Sequence, residues 1–407
     1  MADLPKILLV SETTLATTKS GVAANPTLFN LFNRFSPERI LSIAPESATI
    51  AHPPQSPFDR NYLDFKTEFV PRPRRGRRFV DPFFRLIDIQ IREFLPIPHL
   101  DRITAFDPDV VVVSPITADV LVYGRQLAAS LKKPFVVYFM DDWSALDRRC
   151  WFTGGIRRTV RQLLADSDAW MMISDELRDA MALRYGVPLR PTLVVHNPVD
   201  LATAPPPNFE LRRSGTFRIV YTGSIQPMHA DALFAVAEAV DRLRTAGEDI
   251  ELVVHTAPYF EAKYRDAWSR WGVILGSLLP YDQLFRTLQQ ADLLLVALSF
   301  DERQAHMAMY SLLTKITDYM ATGVPMLVCG PKDCASINFI NRWNCGLTCD
   351  TPNVADIAEV IHLHLRRPPS DKQLAERAYN CLVERFSTEP VQARLQEFLR
   401  RVAGARK

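Results

Sequence analysis

The feature that most constrains the fold of this chain is a repeated alternation of short apolar runs with longer segments of helical periodicity. The runs are nearly continuous in aliphatic residues, which is typical of parallel strands buried on both faces. In the first half they are KILLVS (6–11), RILSIA (39–44), DVVVVS (109–114), FVVYFM (135–140), AWMMIS (169–174) and TLVVH (192–196). Strands that alternate with helices predict an α/β fold with doubly wound parallel sheets.

The chain is long enough for two domains, since 407 residues exceed what a single core usually organises. Near the middle, Pro205–Pro207 and the charged, glycine-containing stretch 212–215 are typical of a linker. The alternation then restarts with RIVYTG (218–223), ELVVH (251–255), GVILG (272–276), LLLVAL (293–298) and PMLVCG (325–330). We therefore predict two Rossmann-like domains, over residues 1–204 and 216–385, joined by a linker at 205–215. A C-terminal helix over 386–407 is predicted to pack back toward the first domain.

The composition excludes several classes of protein. With 47% hydrophobic and 23% charged residues, the chain is neither disordered nor fibrous. A net charge of +2 gives no support for a nucleic-acid partner. No uncharged apolar run approaches the ~18 residues of a membrane span, and the stretch Ile7–Val10 is too short for a signal-peptide core. We expect a cytoplasmic protein.

Four of the six cysteines lie close together in the second half, at 329, 334, 345 and 349. Their spacing lacks the paired CxxC of a zinc knuckle, and their surroundings are apolar. We expect reduced, mostly buried thiols and no metal site.

The segment 71–95 combines five arginines between 72 and 78 with an apolar, aromatic stretch. One interpretation is a membrane or acceptor face that contacts anionic lipid, formed by Arg74, Arg75, Arg77, Arg78 and Phe79. The other is a solvated loop followed by an ordinary amphipathic helix packed on the sheet. The sequence leaves both interpretations open.

Ligands of doubly wound folds bind at the carboxyl ends of the strands, so the turns after the strands are candidate sites. Ser20–Gly21 form a small turn before a helix, where backbone N–H groups could approach an anion. Neither GxGxxG nor a P-loop motif is present. In the second domain a strand ends at Gly223 and a helix begins near Ala230, which directs N–H groups and His229 toward a phosphate. The alternative for His229 is a helix-capping surface residue.

The stretch 309–331 is the most informative. A helix that starts around Leu313 carries Thr314, Lys315 and Asp318 in its first turns, and Gly323 with Pro325 ends it. A cation beside a helix N-terminus suits a diphosphate, and a carboxylate three residues further lies on nearly the same face, where it could accept ribose hydroxyls. The alternative is a Lys–Asp pair on a surface helix; the tandem domains favour the binding interpretation.

At these residues the sequence resembles the GT-B fold glycosyltransferases of family 4, which are retaining enzymes that use sugar nucleotides. The resemblance covers most of the chain. It rests on the Ser20–Gly21 turn and on the blocks FMDDWS (139–144), RYGVP (184–188), VVHNPVD (194–200), VYTGSI (220–225), LGSLLPYDQLFRTLQQADLLL (275–295), TKITDYMATGVPML (314–327), CGL (345–347) and ERFS (384–387).

The resemblance implies two Rossmann-like domains that face a central cleft, with the donor bound by the second and the acceptor by the first. Asp318 matches an acidic residue that holds the ribose, and Thr314 with Lys315 match the diphosphate-binding helix start. Gly21 and the loop from Gly223 match phosphate contacts. The loop after Gly276, which includes Leu278, matches the stretch whose backbone reads the nucleobase.

The sequence also departs from the family pattern. Tyr310 stands where the first acidic residue of the donor motif is expected, so its contact with the sugar is either missing or supplied elsewhere, by Asp301 or Glu302. Ser224 and His229 replace the frequent Arg and Lys after the second-domain glycine. In the first domain Met140 replaces a catalytic histidine, and Asp141 and Asp142 follow it.

We therefore expect hexosyl transfer with retention, from a nucleotide diphosphate sugar to a saccharide or lipid-linked acceptor in surface or exopolysaccharide assembly. Asp141, Asp142 and Lys315 are the predicted catalytic residues, and no metal or other cofactor is expected. Peripheral contact with the inner face of an anionic membrane is a further expectation. Two alternatives stay open: a nucleotide-sugar 2-epimerase of the same architecture, and a non-catalytic GT-B subunit, which Tyr310 favours.

Overall fold

The computed structural model describes residues 4–12, 15, 24–46, 62–71, 77–142, 153–210, 215–366 and 368–405. The chain divides into two compact units. The first consists of Met1–Asn197 and Val391–Lys407, and the second consists of Pro198–Pro390. Each unit contains a parallel β-sheet with intervening helices, which confirms the predicted α/β class with two doubly wound sheets.

The sheet of the first unit has, within the described residues, seven strands in the order β3-β2-β1-β4-β5-β6-β7. The strands are β1 (Ile7–Ser11), β2 (Ile40–Pro45), β3 (Tyr62–Phe65), β4 (Val110–Ser114), β5 (Phe135–Phe139), β6 (Ala169–Met172) and β7 (Thr192–Val194). Ile7 pairs with Ile40 on one side and with Val110 on the other, so the strand order reverses between β1 and β4. That reversal is the topological switch point of this unit.

Helices connect these strands and cover the sheet. They are α1 (Ala24–Phe32), α2 (Arg77–Phe94), α3 (Leu100–Phe106), α4 (Ala118–Leu131), α5 (Thr153–Asp166) and α6 (Asp175–Tyr185). Local signals define α6 well: the Ser174 hydroxyl accepts the N–H of Leu177 at 3.0 Å, and Gly186 ends the helix with a left-handed φ of 59°. The core of the unit is completed by residues from the last helix of the chain, among them Val391, Leu395 and Phe398.

The sheet of the second unit has six strands in the described part of the chain, in the order β10-β9-β8-β11-β12-β13. They are β8 (Phe217–Thr222), β9 (Ile250–Thr256), β10 (Ile274–Ser277), β11 (Leu293–Ala297), β12 (Met326–Cys329) and β13 (Leu347–Cys349). The strand order reverses between β8 and β11, which are hydrogen-bonded neighbours. The switch point therefore lies where Thr222 and Ala297 end their strands.

The helices of the second unit follow the same alternation, with a π-helical turn at Leu382–Phe386 before the last one. They are α7 (Pro227–Thr245), α8 (Pro258–Lys263), α9 (Arg265–Arg270), α10 (Tyr281–Leu288), α11 (Ala305–Ala308), α12 (Lys315–Met320), α13 (Ala335–Trp343), α14 (Val354–Leu365), α15 (Pro369–Cys381) and α16 (Thr388–Gly404), of which α16 continues into the first unit.

Every apolar run singled out in the sequence contains a strand, but β3 and β13 were not predicted. Both are edge strands, of four and three residues. A strand needs a continuous apolar run only when both of its faces are covered, and both of these strands are only partly buried. The weak sequence signal for β3 is YLDF (62–65), in which the apolar Leu63 and Phe65 alternate with more polar residues, as their alternating burial shows.

The unit boundary differs from the predicted linker at 205–215. The chain passes between the units at Asn197–Pro198 and again at Pro390–Val391. The carbonyl of Pro206 accepts a hydrogen bond from Gln289 at 2.7 Å, and the Asn208 N–H donates to the carbonyl of Thr322 at 2.8 Å. These bonds hold the described proline-rich residues within the second unit. The segment is therefore packed and is not a free hinge.

Candidate active site

The switch point of the second unit brings together two residues singled out in the sequence. Gly223 follows β8 with a φ of 119°, a conformation that favours glycine, and its N–H donates to the carbonyl of His255 at 2.9 Å. His229 lies in the first turn of α7, and its Nδ1 bonds the carbonyl of Ala297, at the end of β11, at 2.9 Å. The turn after β8 and the start of α7 are thereby fixed across the switch point.

Lys315 brings a buried positive charge to the same turn. Its Nζ lies 3.8 Å from the centroid of the Tyr221 ring, and a Cβ placed on Gly223 would be 3.5 Å from it. Within the described part of the chain this buried Nζ has no hydrogen-bond partner. Burial lowers the pKa of Lys315 from 10.5 to about 7. An ammonium group that the protein leaves unsatisfied, beside a glycine turn, suits an anionic ligand.

Asp318 lies one turn further along α12 and is also unsatisfied. Its Oδ1 is buried and has no hydrogen-bond partner among the described residues. Burial raises the pKa of Asp318 from 3.8 to about 7. No ion pair joins Lys315 to Asp318, although the structure describes both. A carboxyl group with an open acceptor oxygen suits hydroxyl groups, as the binding interpretation of this helix requires.

His229 is buried, with 5% of its surface exposed, so the surface-capping alternative for this residue is wrong. Burial, and after it the positive charge of Lys315, lowers the pKa of His229 to about 3. The ring is therefore neutral. Because the Ala297 carbonyl can only accept, the proton of the neutral ring is on Nδ1 and Nε2 is an acceptor. In this state His229 adds no positive charge to the site.

Other predicted donor residues lie around these groups with different degrees of exposure. The carbonyl of Ser224 accepts the Tyr221 hydroxyl at 2.8 Å, which shapes the turn after β8. Thr314 is exposed immediately before α12, and Leu278, 48% exposed, follows β10. Tyr310 is partly buried and precedes α12 by five residues.

The proposed substitutes for the missing acidic residue differ in availability. The carboxylate of Asp301 accepts the Arg303 Nε–H at 2.9 Å, and the Asp301 N–H donates to the carboxylate of Asp231 at 3.2 Å. The carboxylate of Asp301 is thus already paired with Arg303. Glu302 is exposed to solvent.

In the first unit the structure separates the two aspartates that follow β5. The carboxylate of Asp142 is completely buried and forms an ion pair with Arg184, whose side chain is 11% exposed. Asp142 therefore fixes the end of β5 to α6 and is not open to an acceptor. Asp141 is half-buried, and its charge adds to burial in raising the pKa of Tyr138. Of the two, Asp141 is the one that keeps an exposed surface.

Several predicted residues cannot be placed in this way. Gly21, Arg74 and Arg75 lie outside the described residues. Arg77, Arg78 and Phe79 belong to the first turn of α2, whose side chains are not described there.

The described part of α2 has a packed inner face. Asp88 is buried and accepts the N–H groups of Phe69 and Val70 at 2.8 and 3.0 Å, and the buried Arg92 lies 5.5 Å from the Tyr123 ring centroid. On the outer side Phe83 and Phe94 are 42% and 86% exposed. No helix in the described ranges is long and apolar enough to cross a membrane.

Sequence reasoning missed Glu12, which lies at the switch point of the first unit. Its carboxylate accepts the backbone N–H groups of Ile116 and Thr117, just before α4. Burial, opposed by these hydrogen bonds, raises the pKa of Glu12 to about 8. The signal was an acidic residue directly after the first strand.

Five buried cysteines form no disulfide among the described residues: Cys329, Cys334, Cys345, Cys349 and Cys381. Across the described residues, no group of three or more His, Cys, Asp or Glu side chains is arranged to hold a metal ion.

Comparison with known proteins bears on the fold and on a segment of the chain that lies mostly in the first unit. Residues 48–203 match the model of Glycosyltransferase Family 4. The fold is similar to HepE from Anabaena, solved in complex with UDP-glucose, with a TM-score of 0.67 and 14% identity over 97% of this chain and 99% of that one. It is also similar to sucrose-phosphate synthase from Thermosynechococcus elongatus, with a TM-score of 0.70 and 11% identity over 97% and 98% of the two chains. No curated protein sequence matches. The GT-B fold is confirmed, and the predicted resemblance to family 4 is confirmed over residues 48–203.

Proposed function

We propose, on the premise that the chain is a GT-B glycosyltransferase with a family 4 segment, that it transfers a hexosyl group with retention from a nucleotide diphosphate sugar. The acceptor is a saccharide or a lipid-linked saccharide in surface or exopolysaccharide assembly. The observation that carries the proposal is the buried Nζ of Lys315, which has no hydrogen-bond partner in the described part of the chain and lies beside Gly223. The structure of HepE with UDP-glucose makes UDP-sugars the first donors to test.

In this proposal the second unit binds the donor. Lys315 pairs with the diphosphate, which approaches the turn at Gly223 closely because no side chain is present there. Asp318 accepts the ribose hydroxyls through its open Oδ1, and the segment after β10, which includes Leu278, contacts the nucleobase. Neutralising the charge of the departing diphosphate lowers the barrier, and we assign this task to Lys315 without a resident metal.

Retention follows when the acceptor attacks the face of the sugar from which the diphosphate departs. The bond from the anomeric carbon to the diphosphate oxygen breaks, and a bond to the acceptor hydroxyl oxygen forms. The hydroxyl proton passes to the departing phosphate oxygen. Asp141, which keeps an exposed surface, orients the acceptor hydroxyl, while Asp142 has a structural role in its ion pair with Arg184.

Calorimetric titration with UDP-, GDP- and TDP-sugars tests the donor assignment. We expect saturable binding to one nucleotide class, lost in Lys315→Ala. Product analysis by NMR then separates the activities: a transferase forms a new glycosidic bond with retained configuration, whereas an epimerase changes the free nucleotide sugar. An absence of binding across the panel would refute the proposal and favour a scaffold subunit.

We also propose that the arginine-rich segment 72–78, together with the exposed Phe83 and Phe94 of α2, contacts an anionic membrane surface. Co-sedimentation with vesicles that contain phosphatidylglycerol tests this contact. Binding should weaken with salt and in the Arg74→Glu, Arg75→Glu double variant. Equal binding to neutral vesicles would contradict it.

A further inference from the structure

His255, the penultimate residue of β9, links the two loops on either side of it. Its backbone carbonyl accepts the N–H of Gly223, which begins the turn after β8, at 2.9 Å. Its side-chain Nδ1 bonds the carbonyl of Ser277, the last residue of β10, at 3.0 Å. Since a carbonyl only accepts, Nδ1 carries the proton. One residue thereby holds both the turn next to Lys315 and the start of the segment that follows β10.

Gly276 makes this arrangement possible. It is directly opposite His255 in the parallel register, and the imidazole ring lies across it. A Cβ on Gly276 would be 2.3 Å from both Nδ1 and Cε1 of His255, which is far inside van der Waals contact. The three nearest atoms to this position all belong to the His255 ring. The glycine is therefore required by the ring and not by a special backbone conformation.

The segment that His255 holds lies near the group assigned to the ribose. Tyr281 begins α10 only four residues after Ser277. This helix contacts α12, which carries Asp318. Exposed Leu278 lies between Ser277 and Tyr281. A nucleoside whose ribose meets Asp318 therefore has its base within reach of residues 277–281.

We propose that His255 is a positioning residue for nucleoside recognition: it fixes the Ser277 carbonyl and the following segment against which the base of the donor binds. The inference rests on the proposed donor site. His255 has two separable functions. Its backbone carbonyl holds Gly223 and is kept in any substitution, whereas the bond to Ser277 is made by the ring. Loss of the ring should weaken binding of the nucleoside and spare binding of the diphosphate.

The test compares the affinities of UDP, GDP and inorganic pyrophosphate by calorimetry in a set of variants of the full chain. His255→Ala removes the bond to Ser277. His255→Asn keeps a side-chain N–H near the position of Nδ1. Gly276→Ala leaves the histidine in place but displaces its ring, and the double variant carries both alanines. His362→Ala, which removes a half-exposed histidine of α14 in the same unit, is the matched control.

We expect His255→Ala and Gly276→Ala each to lower the affinity for the nucleotide that wild type binds by about tenfold, and to leave the affinity for pyrophosphate unchanged. His255→Asn should recover most of the loss, and the double variant should be no worse than His255→Ala, since both changes remove the same contact. Thermal unfolding confirms that each variant is folded.

Wild-type nucleotide affinity in a folded His255→Ala variant would overturn the inference. So would an equal loss of pyrophosphate affinity, or additive losses in the double variant. If wild type itself binds neither UDP, GDP nor pyrophosphate, the proposed donor site fails as a whole, which is a different result.

Discussion

The Nζ atom of Lys315 lies 3.8 Å from the centroid of the Tyr221 ring. A cation over an aromatic face gains about 0.5–2 kcal/mol, which compensates only partly for removing the ammonium group from water. The remaining cost is visible in the pKa of Lys315, which burial lowers to about 7. Since the described residues give this ammonium group no hydrogen-bond partner, the site should lower the stability of the free protein and favour binding of the proposed diphosphate.

Replacing Lys315 by methionine should therefore stabilise the free protein while strongly weakening donor binding. The ordinary pKa of 10.5 falls to about 7 on folding, so the cost of the buried charge is complete below pH 7 and disappears as the pH rises toward 10.5. The gain in Tm should be larger at pH 6 than at pH 9.5, at about 2–4 °C for each kcal/mol recovered. Differential scanning calorimetry measures it.

Lys263 provides the matched control, because its Nζ also lies over a tyrosine ring, 4.8 Å from the centroid of Tyr264, but at an exposed site. Lys263→Met should leave both Tm and donor binding unchanged. A decrease in Tm for Lys315→Met at pH 6 would show that its charge is compensated in the free protein.

Donor binding should take up a proton above pH 7 and release a proton below pH 7. At pH 8 Lys315 is mostly neutral, and an arriving diphosphate raises its pKa, so binding takes up a proton. At pH 6 Asp318 is mostly protonated, and ribose hydroxyls that donate to its carboxylate favour ionisation, so binding releases a proton. Titration in buffers of different ionisation enthalpy reports both signs.

Two variants assign these protons. Lys315→Met should abolish the proton uptake at pH 8, and Asp318→Asn should abolish the proton release at pH 6. Each variant is measured at a nucleotide concentration that still saturates its weakened site. Proton uptake at pH 8 that persists in Lys315→Met would assign the titrating group elsewhere.

Gly323→Ala should test whether the proline-rich segment is packed. Gly323 has a φ of 78°, and a Cβ there would lie 2.7 Å from the backbone nitrogen of Asn208. Gly186 has a similar φ of 59° but no atom within 4 Å of the added carbon. Gly186→Ala should therefore cost about 1–2 kcal/mol from the left-handed conformation alone, and Gly323→Ala clearly more. Equal losses in urea unfolding would indicate that residues near Asn208 move aside freely.

Breaking the ion pair between Asp142 and Arg184 should be costly. Arg184→Met removes the cation of an ion pair whose carboxylate is fully buried, which typically costs about 3–5 kcal/mol. Lys372→Ala removes one partner of the half-exposed pair with Glu376 and should cost about 0–1 kcal/mol. Chemical denaturation of both variants makes the comparison. A small loss in Arg184→Met would mean that Asp142 is hydrated, and would restore it as an acceptor ligand.

The sequence predicted what depends on periodicity and missed what depends on distant partners. Continuous apolar runs identified the buried strands, since a central parallel strand must be apolar on both faces. Short edge strands such as Leu347–Cys349 carry no such run. The prolines at 205–207 were interpreted as part of a linker because nothing near them in the sequence indicates a packed segment. The residues that hydrogen-bond this segment are distant: Gln289 is about 80 positions from Pro206, and Thr322 is more than 100 positions from Asn208.

The site shows the same division. Gly223, His229 and Lys315 were found because each follows a strand or begins a helix, where a doubly wound fold binds ligands. Asp142 was assigned a catalytic role because its partner Arg184, 42 positions later, could not be deduced from spacing. His255 was overlooked because it is the penultimate residue of a strand, and only the ring lying across Gly276 reveals its role.

The way α16 joins the first unit has a consequence for biosynthesis. Val391, Leu395, Phe398 and Leu399 belong to the core of that unit, yet the ribosome adds them only after the whole of the second unit. The second unit, continuous from Pro198 to Pro390, is already synthesised at that point. The first domain to begin folding is therefore the last to finish, and the nascent chain carries an uncovered apolar sheet face through the whole translation of the second.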